Sequence, residues 1–191
     1  MAEGNDGEIV PTLKNPLFIH NTRSPEQWRI ISERVDFAGK RVVDYGCGYA
    51  DILRHALVVG GAGYCVGVEE DRGIIKGLLD RFPRGRFDPD FLVVNGDVAG
   101  EGADFDIGIC FSVLPYIPTP DDFLASMSHS CKTALIECQY AGDGPGFETI
   151  KDDDDMEEWL GCHWQSVELI GSTLVDYRDK RRTIWLCQEI Y

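Results

Sequence analysis

Ten consecutive residues hold the densest chemistry in this sequence: Val42, Val43, Asp44, Tyr45, Gly46, Cys47, Gly48, Tyr49, Ala50 and Asp51. An apolar run enters two closely spaced glycines, and a helix-forming stretch leaves them. Gly46 and Gly48 lack a Cβ, so the chain can turn with positive φ and a ligand can press on bare backbone. Two ligand chemistries compete for such a turn. A dinucleotide fingerprint, G-x-G-x-x-G, would need glycine where Asp51 stands. Carboxylates at Asp44 and Asp51 would also repel a pyrophosphate approaching the helix N-terminus. A Walker A loop needs G-x-x-x-x-G-K-[ST], and the sequence contains no such string. A cationic nucleoside suits the charges better, since opposite charges about 4 Å apart gain roughly 4 kcal/mol at an effective dielectric near 20, before desolvation. A turn with Asp44 as its cap is the plainer reading of a lone G-x-G, so the surrounding elements must decide.

Those elements alternate. Strands are expected at 41–45, 64–69, 91–95, 105–111 and 132–138, and helices at 24–35, 50–59, 72–82, 120–130 and 152–161. The first helix opens on Ser24 as a cap, with Pro25 in its first turn. The strand cores are nearly continuous apolar runs, as in strands buried on both faces of a parallel sheet covered by helices. At the C-terminal end, 165–175 and 182–190 are both strand-like and joined too tightly for a parallel crossover, so they must pair antiparallel. The predicted fold is therefore α/β: a Rossmann-like three-layer sandwich with a mostly parallel seven-stranded sheet and a C-terminal antiparallel hairpin. Residues 1–23 read as an arm and 24–191 as the domain. The turn at Gly46 then lies outside the carboxyl ends of the strands, where open α/β sheets bind ligands.

Composition narrows the classes. At 191 residues the chain suits one domain. Its formal net charge of -15 repels nucleic acid and anionic membranes as whole surfaces, and favours a cationic ligand. Apolar runs are all shorter than the roughly 20 residues that span a bilayer. Residues 1–8 carry no basic group, so they are not read as a signal peptide. None of the seven cysteines forms a C-x-x-C pair, and most sit in apolar runs, the pattern of buried thiols in a reducing, cytoplasmic compartment; no metal site is expected.

Several motifs recur in one order, and together they resemble the class I S-adenosylmethionine-dependent methyltransferases over about residues 24–190. The segment around Asp44, Gly46, Cys47, Gly48 and Ala50 is similar to the first motif, an acidic residue before a G-x-G turn; the family often has glycine in place of Ala50. Cys65, Val66, Gly67, Val68, Glu69 and Glu70 resemble the second, whose acidic residue holds the ribose hydroxyls, with Glu69 as the choice and Glu70 as the alternative register. Val94, Asn95, Gly96, Asp97 and Val98 resemble the third, in which Asp97 would contact the adenine amino group. The run from Phe105 to Tyr116, with Phe111 and Ser112, resembles the fourth strand and the segment that borders the methyl donor. The resemblance implies an enzyme that binds S-adenosyl-L-methionine, releases S-adenosyl-L-homocysteine, and methylates a small-molecule or peptide acceptor as a monomer or weak homodimer. The alternative is a non-catalytic cofactor-binding or scaffold protein on the same fold.

The acceptor side rests on fewer residues. Glu137 and Tyr140, at the end of the fifth strand, are candidates to orient or deprotonate a nucleophile; for Glu137, a backbone cap is the competing reading. Tyr116 is a third catalytic candidate; it follows Pro115 in a string that lacks the leading amide or acid and the first proline of the nucleic-acid amino-methylating motif. His20 and Trp28 read as a surface histidine and a packed aromatic, with a lid over the site as the alternative. The acidic run at 152–155 lacks calcium-loop spacing and reads as a helix start. Arg178, Lys180, Arg181 and Arg182 read as a polar hairpin tip.

Overall fold

The computed structural model describes residues 23–81, 91–95, 104–139, 150–175 and 180–189. Strands β1 (Arg41–Tyr45), β2 (Tyr64–Glu69), β3 (Phe91–Asn95), β4 (Phe105–Phe111), β5 (Cys131–Cys138), β6 (Ser166–Val175) and β7 (Lys180–Gln188) form one sheet in the order β3-β2-β1-β4-β5-β7-β6. The first five are parallel, and β7 runs antiparallel to both β5 and β6. The helices are α1 (Ser24–Ser32), α2 (Asp51–Val58), α3 (Arg72–Arg81), α4 (Pro120–Ser130) and α5 (Asp153–Gly161), with a 3-10 turn at Leu114–Tyr116 after β4.

Two apolar cores flank the sheet. On one face Trp28 and Ile31 of α1 and Leu53 and Ala56 of α2 pack on Val42, Ile109, Leu135 and Leu186. On the other, Phe123 and Met127 of α4 and Met156 and Leu160 of α5 pack on Val43, Cys110, Ile136 and Trp185. Helix α2 therefore covers one face and α4 the other, so β1 and β4 are the pair between which the winding reverses and a crevice opens. No described helix is long and apolar enough to cross a membrane.

Local chemistry explains the elements. Asp152 caps α5, its side chain accepting from the Asp155 N–H at 3.0 Å, so the acidic run is the helix start expected of it. Helix α1 corrects two expectations. Its regular part stops at Ser32, earlier than 35; the N–H groups of Arg34 and Val35 still reach the Ile31 carbonyl, as a last loose turn, before Phe37 enters the core. Ser24 is its first residue rather than its cap: Arg23 holds the cap position and no side chain caps the helix. The Ser24 hydroxyl is thus left for another use. Trp28 is a packed aromatic against Phe37. The arm expected over 1–23 lies outside the described residues except for Arg23, which is tied into the domain. His20 and Arg178 also lie outside them.

The closing hairpin fixes where α1 sits. Strand β6 has a register shift between Leu169 and Gly171. A Cβ on Gly171 would come within 2.8 Å of Ile30 Cγ2, so α1 lies directly on this glycine. All seven cysteines are free thiols, and all but Cys162 are buried.

Candidate functional site

The pleat gathers the site. Side chains two apart share a sheet face. Val42 is followed by Asp44, Cys65 by Gly67 and Glu69, Ile109 by Phe111, and Leu135 by Glu137. The first member of each series packs in the core beneath α1 and α2, so the last members lie at the carboxyl ends of four strands on that same face. Parallel register sets Asp44 beside Gly67 and Ile109, and Phe111 beside Glu137. Pleating also separates the two candidates of the second acidic motif: Glu69 is buried on the site face and Glu70 is exposed.

The glycine turn uses its own amides. Gly46 N–H and Cys47 N–H both donate to the Val68 carbonyl, at 2.8 and 3.0 Å, and Ala50 N–H donates to the Cys47 carbonyl at 2.8 Å. Gly48 N–H donates to Glu69 Oε2 at 2.9 Å, while Glu69 Oε1 accepts from Asp71 N–H at 2.9 Å. A phosphate cradle needs such donors free; here they are occupied, and one is covered by a carboxylate. The turn has positive φ at Gly46 (72°), Gly48 (53°) and Ala50 (58°). A Cβ on Gly46 would meet Val113 Cγ2 at 2.2 Å, whereas one on Gly48 would meet nothing within 4 Å. The turn is closed by Val113 on one side and faces open space at Gly48.

That space is part of a cavity of about 280 Å3 between α1 and the turn, lined among others by Ser24, Gln27, Asp44, Gly48, Asp51 and Phe111. Its walls are rich in acceptors. Asp44 is 4% exposed. Burial first, and the Glu69 charge second, push its carboxyl well above the usual range. The Cys47 thiol is pushed up by burial and by the same two carboxylates. Asp51 faces Arg54 at 3.8 Å. Ser24 Oγ and Gln27 Oε1 are fully enclosed and have no hydrogen-bond partner among the described residues.

Glu137 corrects an expectation. It is fully buried, and donors reach both oxygens: Gln27 Nε2 (2.8 Å) and Thr173 Oγ1 (2.7 Å) on Oε1, Arg23 Nη1 (3.2 Å) and Ser112 Oγ (2.6 Å) on Oε2. A carboxylate so enclosed is engaged by four donors and is not among the residues lining the cavity. It ties α1 to the ends of β4, β5 and β6, and removing one side of such a buried pair typically costs about 3–5 kcal/mol. Ser112 belongs to this network, half-buried at φ 65°, a conformation rare for a residue with a side chain. Tyr116 is 68% exposed and stands outside the cavity lining. Asp97, Val98 and Tyr140 lie outside the described residues. Ser24, Gln27, Tyr49, Asp51 and Ile52 line the cavity without having been read as ligand contacts. For Ser24 and Gln27 the available signal was a polar pair three apart on the helix face that also carries Trp28 and Ile31.

No protein-family model matches the chain, and no curated protein matches its sequence. Solved structures do match in shape. Magnesium protoporphyrin IX methyltransferase from Synechocystis PCC 6803, crystallised with bound S-adenosylmethionine, superposes with a TM-score of 0.66 at 14% identity, over 87% of this chain and 78% of that one. The N-terminal domain of EvdMO1, with S-adenosylhomocysteine bound, gives 0.68 at 14% identity over 91% and 83%. A proposed RNA methyltransferase, PH1948 from Pyrococcus horikoshii, gives 0.64 at 18% identity over 87% and 83%. This chain has the class I S-adenosylmethionine-dependent methyltransferase fold. At these identities the likeness concerns the methyltransferase fold alone.

Proposed function

We propose that this protein binds S-adenosyl-L-methionine in the crevice beyond β1 and β4 and transfers its methyl group to a small-molecule or peptide nucleophile. The observation that carries this reading is the polarity of the glycine turn: the amides of Gly46, Cys47, Gly48 and Ala50 are occupied internally, while the acidic residues Asp44 and Asp51 line the cavity beside it. A cavity lined in this way favours a ligand with cationic N–H donors and disfavours a phosphorylated one. Its volume of about 280 Å3 is near the small end of ligand pockets and suits the amino-acid end of the cofactor, with the nucleoside running on toward Glu69.

The bound cofactor supplies an already activated methyl group on a sulfonium centre. The protein's work is then orientation, which accounts for much of the rate in such reactions. Asp44 offers a desolvated carboxylate to the ammonium. Glu69 keeps lone pairs for a ribose diol while its other bonds fix it to Gly48 and Asp71. Phe111 forms an apolar wall at the end of β4. Tyr116, exposed on the turn that follows, is the acceptor-side group we assign. The net charge of -15 favours a neutral or cationic acceptor over nucleic acid.

Calorimetry with S-adenosylhomocysteine and with NAD tests the reading. The thioether is expected to bind at micromolar level or tighter, and the dinucleotide not at all. The reverse order would reject it. Transfer of labelled methyl to components of a small-molecule or peptide extract separates an enzyme from a binding protein.

A further inference from the structure

Gln27 and Ser24 belong to α1, upstream of every motif of the resemblance, yet both line the cavity and each carries an enclosed oxygen with no partner among the described residues. The Gln27 amide has two ends, and Glu137 decides which one faces the cavity. A carboxylate accepts, so the amide must turn its NH2 toward Glu137 Oε1, as it does at 2.8 Å. Oε1 of Gln27 is the end left without a partner, on a residue that lines the cavity. Glu137 cannot swing aside, because Arg23, Ser112 and Thr173 hold its remaining lone pairs. A free glutamine amide presents a donor or an acceptor equally well; this one is locked as an acceptor.

From this geometry we propose that Gln27 is a specificity-determining residue that accepts a hydrogen bond from the α-ammonium of the ligand's amino-acid moiety, assisted by the Ser24 hydroxyl, and that Glu137 is the positioning residue that sets the amide's polarity. The inference rests on the cofactor reading above. Gln27, Ser24 and Asp44 line one cavity, and an ammonium has three N–H donors to offer their oxygens. Burial without a partner is costly for each oxygen, so a ligand that completes them is favoured over one that leaves them bare.

The test compares three ligands by calorimetry on the full chain: S-adenosylhomocysteine, S-adenosyl-4-mercaptobutyrate (hydrogen in place of the amino group) and methylthioadenosine (no amino acid). The wild type is expected to prefer the first over the second by about 10- to 100-fold, as for a hydrogen bond to a charged group. Gln27→Met should shrink that preference by about 10-fold while methylthioadenosine affinity stays within about twofold, on the same scale. Glu137→Gln, whose amide lets Gln27 turn over, should also shrink it. Ser24→Ala, which leaves the Glu137 network untouched, gives a smaller loss in the same direction and guards against a Gln27 variant that fails to fold. Retention of the full preference in Gln27→Met or, should that variant not fold, in Ser24→Ala overturns the assignment while leaving the cofactor reading standing. Binding of none of the three ligands by the wild type overturns the cofactor reading and this inference together.

Discussion

Replacing Asp44 by asparagine is expected to stabilise the ligand-free protein and cripple it as a binder. Asp44 is buried, and both burial and the Glu69 charge hold its carboxyl well above the usual range. The sign follows by linkage. A carboxyl with a folded pKa above its unfolded value of about 3.9 keeps its proton longer in the folded state, so its stability contribution is complete below that pH and is lost as pH rises through the folded pKa. Each unit of elevation is worth about 1.4 kcal/mol at neutral pH. In a domain of this size about 1 kcal/mol moves Tm by roughly 2–4 °C. Asp44→Asn has the same shape and no charge, so its Tm should exceed the wild type's by several degrees at pH 7–8. The difference should vanish near pH 4. Binding should move the other way. Losing an attraction of roughly 4 kcal/mol, less the desolvation already incurred, predicts a loss of about 30- to 1,000-fold in affinity for S-adenosylhomocysteine. Near and below the raised folded pKa, wild-type binding should also release protons as a cation draws Asp44 into its ionised form, so in that pH range its enthalpy should vary with the buffer's ionisation enthalpy, and the variant's should vary less. Thermal melts from pH 4 to 8 and calorimetry in two buffers read both effects. A variant that melts lower than wild type at pH 8, or binds as tightly, would refute the electrostatic reasoning.

Two further outcomes follow from the packing. Gly171→Val should push Ile30 and with it α1 away from the sheet, lowering Tm and weakening S-adenosylhomocysteine binding by about 10-fold or more, consistent with overpacking costs of about 1–3 kcal/mol; unchanged binding would show that α1 does not help form the site. His55, buried against Trp28 with Nδ1 on the Asp51 carbonyl at 2.7 Å, has its pKa lowered chiefly by burial. Its stability contribution is therefore present above about 6.5 and lost as pH falls below that value. His55→Leu should flatten the fall in Tm between pH 7 and 5, and an unaltered slope would assign that fall to other groups.

Much of this protein was legible in its sequence because the signals were local. Apolar runs of strand length, the tight link after β6 and the glycines at 46 and 48 each follow from the residues at hand, since periodicity and turn chemistry act over a few positions. Asp44 stood out in the sequence as a carboxylate beside a bare turn; its role toward a ligand is the proposal made above. Glu69 and Glu70 were not separable by type, only by the pleat, which buries one and exposes the other. Glu137 was misread because its role depends on Arg23 and Gln27, more than 100 positions away, and no local rule brings them together. Gln27 stayed hidden for the same reason: an amide has no fixed polarity until a neighbour imposes one, and that neighbour arrives only when α1 docks on the sheet. The sequence by itself determined the strands, the turn and its charge. Tertiary structure alone decided which oxygens are bonded and which are left without a partner, because hydrogen-bond direction is a property of pairs, and these pairs exist only once the sheet and α1 have closed on each other.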